Sequence, residues 1–298
     1  MSPATTVTVE PFGHTPEGDE IQRFTIKNQN AMTAQVINYG AILTALSVPD
    51  RDGKIGEITL GFDSLDGYLG HHPHFGSTIG RVGNRIAKGH FILNGHEHHL
   101  HINNGLNSLH GGKIGFNKVV WNGEPVESGV QFTRRSPDGE ENYPGNLDVT
   151  VTYSLSDDNS LQIDYAAVTD RETLVNLTNH TYFNLAGSGN ILNHQIQINA
   201  DKYTVNDDTL IPTGEIAPVH GSPLDFTSPH TIGERIEQIP TPPGGYDHNF
   251  VLNKPEGKAS LTLMARVYEP ITGRTMEAFT TEPGVQFYTA NFLDGSLK

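Results

Sequence analysis

Short segments with apolar or β-branched side chains at every second position recur along the whole chain, and this constrains the fold more than any other feature. They fall at Gln22–Lys27, Thr33–Asn38, Ile42–Val48, Val130–Arg134, Leu147–Leu155, Leu161–Val168, Gln195–Ala200, Leu261–Val267 and Thr275–Thr280. A period of two puts alternate side chains on opposite faces of a strand, one face buried and the other wet. No stretch of about fifteen residues keeps the 3.6-residue period of an amphipathic helix. The 32 Gly and 18 Pro break helices further while 35% hydrophobic residues still supply a core. Two antiparallel sheets packed face to face bury so many alternating strands, so the sequence predicts an all-β sandwich with little helix.

Turn dipeptides that tolerate positive φ separate the segments: Asp52-Gly53, Asn94-Gly95 and Asn122-Gly123. The clearest predicted hairpin joins Phe91–Leu93 to His96–Ile102 through Asn94-Gly95. Ile239-Pro240-Thr241-Pro242-Pro243-Gly244-Gly245 looks like a linker, but alternating strands continue beyond it, and a surface loop is expected. No fixed-period repeat appears, and one domain over residues 1–298 is the expectation.

Composition narrows the function. A net charge of −15 repels nucleic-acid phosphates and anionic lipid, and a neutral small molecule suits it better. With no Cys there is no disulfide framework, thiolate nucleophile or Cys-ligated metal. The first seven residues lack the basic head and apolar stretch of a signal peptide, and no run approaches the ~18 apolar residues of a membrane span. A soluble cytoplasmic protein is expected.

Fifteen His invite a metal reading, with clusters at His71, His72 and His74 and at His96, His98, His99 and His101. On one strand, however, His96 and His98 point to one face and His99 and His101 to the other, so no three converge locally. No bound metal is expected. More informative is Asn176-Leu177-Thr178-Asn179-His180-Thr181-Tyr182-Phe183-Asn184-Leu185-Ala186-Gly187, which sets an imidazole among amides, hydroxyls and aromatic rings. A sugar site needs that mixture: amides for hydroxyls, ring faces for C–H surface, and an imidazole to move a proton near neutral pH. Residue types alone fit a half-buried strand end with a structural His equally well.

That segment resembles the active-site signature of the aldose 1-epimerase (galactose mutarotase) family. Further similar stretches occur in family order: Gly80-Arg81-Val82-Gly83-Asn84-Arg85-Ile86-Ala87-Lys88-Gly89, Asn107-Ser108-Leu109-His110-Gly111-Gly112, Ser136-Pro137-Asp138-Gly139-Glu140-Glu141 with Tyr143-Pro144-Gly145, Thr209-Leu210-Ile211-Pro212-Thr213-Gly214, Tyr246-Asp247-His248-Asn249-Phe250 and Pro283-Gly284-Val285-Gln286-Phe287-Tyr288-Thr289-Ala290-Asn291-Phe292. The resemblance covers nearly the whole chain. It implies a large antiparallel β-sandwich, the mutarotase-like supersandwich, and interconversion of α and β anomers of free hexoses such as galactose and glucose. One group takes the proton of the C1 hydroxyl, another protonates the ring oxygen, and no cofactor is needed.

By resemblance His180 is the general acid to the ring oxygen, and His110 supports it and orients the sugar. Asn84, Arg85, Asp247 and Gln286 are implied to contact sugar hydroxyls, while Arg81 is left as a surface or strand-edge charge. The family's base is a Glu on a late strand beyond the Gln286 stretch. No Glu follows Gln286 here, and neither Glu282 nor Asp294 matches that position. The chain is therefore expected to lack the family's C-terminal strands, and a non-catalytic sugar-binding protein is the alternative. A glycoside hydrolase would need two flanking carboxylates, and Glu140 and Glu141 read as solvated. A relative acting on hexose 6-phosphates would ask for more basic residues at the pocket.

Overall fold

The computed structural model describes residues 5–240, 244–255 and 260–297. Thr241, Pro242 and Pro243 of the expected surface loop lie outside these. Its strands form two compact units, one of Met1–Val48 with Ile55–Phe183 and the other of Pro49–Lys54 with Asn184–Lys298. As the alternation predicts, the described residues are nearly all β, with one five-residue helix among them at Leu65–Leu69 and a few single 3-10 turns.

In the first unit Thr6–His14, Glu20–Lys27, Thr33–Ile37, Ile42–Pro49 and Ile55–Glu57 make a five-stranded sheet in chain order. Asn122–Val126, Gly129–Ser136, Leu147–Leu155 and Leu161–Thr169 make a four-stranded antiparallel meander. Leu147, Val149, Val151, Tyr153 and Leu155 all point inward and are at most 1% exposed. Each apolar side chain so buried contributes ~1.5–3 kcal/mol. The two sheets meet where Phe24 packs edge-on against Phe132, ring centroids 5.3 Å apart. The buried Tyr153 hydroxyl donates to the Ala41 carbonyl at 2.8 Å and so keeps a partner inside the seam.

The Asn122-Gly123 turn does not form. Both residues lie within the strand Asn122–Val126, and the chain reverses at Glu127-Ser128 with Ser128 at φ 59°. Glycine stands at 123 for packing: a Cβ there would sit 2.7 Å from Phe24 Cζ and 2.8 Å from Phe132 Cε1. The strand Thr6–His14 was not apparent in the sequence, because a bulge between Pro11 and Gly13 interrupts its alternation.

In the second unit His230–Thr231, Gln195–Ile198, Thr262–Tyr268 and Thr275–Thr280 make one sheet. Pro212–Pro218, Lys202–Asn206, Asp247–Val251 and Gly284–Tyr288 make another. Phe226 is central to this core, its ring 5.1 Å from Tyr246 and 5.7 Å from Phe287. Gly284–Tyr288 stands at the edge of its sheet.

Candidate active site

Two short ladders in the first unit hold the predicted imidazoles. Thr178–Asn179 pairs with Thr78–Ile79, and the pairing runs on as the His180 N–H donates to Ser77 O at 2.9 Å while the Gly76 N–H donates to His180 O at 3.0 Å. Ser108–Leu109 pairs with Arg85–Ile86 and delivers His110 at its end. Gly111 lets this turn close on the rest of the site. A Cβ there would lie 1.8 Å from Gly80 O, and its φ of +88° also favours glycine.

Asn84 and His110 both adopt left-handed backbone, at φ 62° and 52°. The His110 N–H donates to Asn84 O at 3.0 Å, and the Asn84 N–H donates to His110 Nδ1 at 3.0 Å. Because Nδ1 accepts, the neutral His110 ring carries its proton on Nε2 and presents a donor there. Arg85 is oriented by Nε donating to Asn104 Oδ1 at 3.0 Å and Nη1 donating to Asn84 Oδ1 at 3.3 Å. Asn84, Arg85 and His110 are thus one bonded group.

The His180 and His110 rings meet edge-on with centroids 5.2 Å apart, and Tyr182 lies 5.1 Å from His180. A third imidazole, His74, completes a triangle with them, 4.9 Å from His110 and 5.5 Å from His180. Its Nδ1 accepts from Asn117 Nδ2 at 3.2 Å. Burial holds His74 down to about 3, with repulsion from His180 and His72 adding to it. Burial likewise depresses His110 well below the ordinary imidazole value, followed by His74, His180 and Arg85. Both rings therefore stay neutral at physiological pH, acting as hydrogen-bonding groups rather than cations.

The sequence named His74 only as part of a histidine cluster. Its role as a neighbour of both site histidines depends on a left-handed turn, φ 62°, that no motif signals. Asn179 serves the scaffold, since its Nδ2 donates to Gly76 O at 3.1 Å and to the Tyr153 hydroxyl at 3.0 Å.

Arg81 differs from its expected role as a surface or strand-edge charge. It is 2% exposed. Its guanidinium donates to the carbonyls of Ser136, Pro137, Pro144 and Gly145 and to the hydroxyls of Ser136 and Thr173, at 2.8–3.1 Å. A rigid planar fork of five N–H groups reaches all six acceptors, with one Nη2–H shared between two of them, which explains an arginine there.

The glutamates that looked solvated are engaged as well. Glu140 pairs with Arg134 at 2.7 Å, and Glu141 accepts from the backbone N–H groups of Lys113 and Ile114 at 2.8 and 3.1 Å. Neither is a free carboxylate of the kind glycoside hydrolysis needs.

In the second unit the two remaining predicted residues come together. Asp247 and Gln286 lie on adjacent antiparallel strands, and Gln286 Nε2 donates to Asp247 Oδ1 at 2.7 Å. Asn249 is the direct register partner of Gln286, so Asp247, two residues before it, shares that face. Phe250 points inward into the core, fully buried.

This all-β architecture sets paired imidazoles beside a bonded Asn-Arg couple, a mixture of proton carriers and hydrogen-bond donors of the class that can handle a polar, hydroxyl-bearing molecule. The family model for aldose 1-epimerase matches residues 22–298. A galactose mutarotase from Sus scrofa is 48% identical over 295 residues, 98% of this chain and 84% of the relative. An aldose 1-epimerase from Haemophilus influenzae is 38% identical over 288 residues, 94% of this chain and 82% of the relative. Among solved structures, a galactose 1-epimerase from Lactobacillus acidophilus superposes with a TM-score of 0.85 at 28% identity, covering 98% of this chain and 85% of that one. The chain belongs to the aldose 1-epimerase family, and it is an isomerase of sugar anomers.

Proposed function

We propose that this protein interconverts the anomers of free galactose and glucose, with His180 protonating the ring oxygen as the hemiacetal opens. The observation that carries the reading is the edge-on meeting of His180 and His110 at 5.2 Å. Ring opening needs a proton delivered to the ring oxygen while the C1 hydroxyl loses one. His180 is the acid. His110, tied to Asn84 and offering Nε2–H, positions the sugar oxygens, and Arg85 adds a fork of donors beside it. In the second unit, Asp247 with Gln286 donating to its carboxylate keeps the sugar-contact role that the family resemblance implies. The base is assigned to none of the described residues. His74 is a positioning residue that fixes both imidazoles.

The reading of residues 1–298 as one mutarotase-like domain and a cytoplasmic setting belong to the same proposal. The charge of −15, unfavourable for adsorption on anionic lipid, supports that setting. No helix among the described residues is long and apolar enough to cross a membrane. Nothing at the site favours the non-catalytic alternative.

Polarimetry of freshly dissolved α-galactose tests the assignment. The expected result is relaxation faster than buffer with this chain and a loss of that excess with His180→Gln. Sugar binding with a rate equal to buffer would replace the enzyme by a binding protein. An undiminished rate with His180→Gln would remove His180 as the acid.

A further inference from the structure

The hairpin His90–Leu93 and His96–His99 carries a second cluster of chemically able side chains, none of them among the residues assigned to proton transfer. Its Asn94-Gly95 turn has φ of 52° and 78°, which suits a two-residue hairpin connection and sets the register. That register places His90 directly opposite His99 and Ile92 opposite Glu97. Side chains two residues apart share a face of a strand, so His90, Glu97 and His99 all project from the same side of the ribbon. Reading the second strand alone separates its histidines between two faces. The facing strand supplies the missing third donor.

The geometry follows the register. The His90 and His99 rings lie with centroids 4.9 Å apart at 32°, and His99 Nε2 is 3.7 Å from Glu97 Oε2. One ligand atom from each of His90, Glu97 and His99 lies within 4.8 Å of the others. The opposite face anchors the ribbon: Phe91 stacks on His98 at 4.9 Å and on Tyr143 at 6.4 Å. Asn142 Nδ2 donates to His99 O at 2.9 Å and holds the second strand.

We propose that His90, Glu97 and His99 form a binding site for a divalent first-row transition cation, with Zn²⁺ the fitting ion. Two imidazoles and one carboxylate suit zinc, whose donors sit ~2.0–2.2 Å from the metal and hence about 3.4 Å from one another in a tetrahedron. Small rotations of the exposed Glu97 and His99 side chains bring the donors from their present spacing to that distance. Water takes the fourth position. The bound ion would cross-link the two strands of the hairpin, with no part in ring opening.

Calorimetric titration of the whole chain with Zn²⁺ tests the site. A stoichiometric binding event is expected that disappears in His90→Asn/His99→Asn and weakens by roughly tenfold or more in Glu97→Gln. His96→Asn/His98→Asn, altered on the other face, should retain it. Mutarotation of all four proteins measured without metal checks that each is folded. Stoichiometric binding unchanged in His90→Asn/His99→Asn, or equal loss in the opposite-face variant, would overturn the assignment, as would no binding by the parent chain at micromolar Zn²⁺. Replacing Zn²⁺ by Co²⁺ gives a second readout: absorption typical of tetrahedral cobalt is expected with the parent chain, and an octahedral spectrum counts against the three-donor site.

Discussion

The backbone N–H of Asn84 donates to Nδ1 of His110 at 3.0 Å while the His110 N–H returns a bond to the Asn84 carbonyl at the same distance. The reciprocal pair makes His110 a fixed Nε2–H donor, and it separates its duty from that of His180. Replacing His180 by Gln should lower kcat by ~10²–10⁴-fold, the usual share of positioned acid catalysis. His110→Gln should raise KM as well as lower kcat. Steady-state polarimetry on both variants, with melting curves to compare folds, decides between these roles. Equal effects confined to kcat would count against a sugar-orienting His110.

Arg81 and Arg85 should fail in opposite ways. Arg81→Ala leaves several buried carbonyls without donors, each worth ~1–3 kcal/mol, so a loss of at least about 3 kcal/mol of stability is expected. Arg85→Ala should leave the urea midpoint nearly in place and reduce kcat/KM. Finding the stability loss in Arg85→Ala instead would reverse the assignment.

His72 and His74 make stability depend on pH. Burial pushes His72 down to about 4 and His74 to about 3, so below the ordinary value of 6.5 the unfolded chain binds protons that the folded chain refuses. Their contribution is complete above pH 6.5 and is lost as pH falls towards the folded values. The limiting slope is about 1.4 kcal/mol per pH unit for each group. Urea unfolding between pH 7 and 5 should show stability falling with acidity. His72→Phe, which keeps a ring among Phe62, Tyr68 and Phe75, should flatten the slope by up to one proton. An unchanged slope would mean that His72 titrates normally.

Asp247 and Gln286 should act as a coupled pair. Their 2.7 Å hydrogen bond predicts that Asp247→Ala and Gln286→Ala raise KM less than additively, with an interaction energy of ~0.5–3 kcal/mol. A double-mutant cycle in kcat/KM measures it. Strict additivity would mean that the two residues meet the sugar independently.

How far the sequence foretold these features depends on whether each residue's partner was visible in it. Leu147–Leu155 was readable to the residue because its inward positions alternate without interruption, whereas Thr6–His14 was hidden by the bulge at Pro11 and Gly13. His110 and His180 were named through motif resemblance, which reflects chemistry already assembled in relatives rather than anything periodic. His74 and the inward turn of Arg81 were illegible. Both depend on loops brought close by distant ladders, and a guanidinium looks the same in sequence whether it faces water or six acceptors. Asn122-Gly123 misled for a related reason: a glycine required by two neighbouring phenylalanines carries the same letter as one required by a turn.

The difference between Asn94-Gly95 and Asn122-Gly123 has a chemical sequel over the lifetime of the molecule. Spontaneous deamidation requires the glycine nitrogen to swing onto the asparagine side-chain carbonyl and close a five-membered succinimide. Asn122-Gly123 is pinned in a strand paired along its length with Gly129–Ser136, which denies that movement. Asn94-Gly95 sits at a hairpin tip with nothing within 4 Å of where a Gly95 side chain would be. Of these two pairs, deamidation should therefore fall on Asn94, adding a carboxylate or an isoaspartyl kink to the tip of the ribbon that carries His90 and His99, while the seam between the sheets keeps its original covalent structure at Asn122.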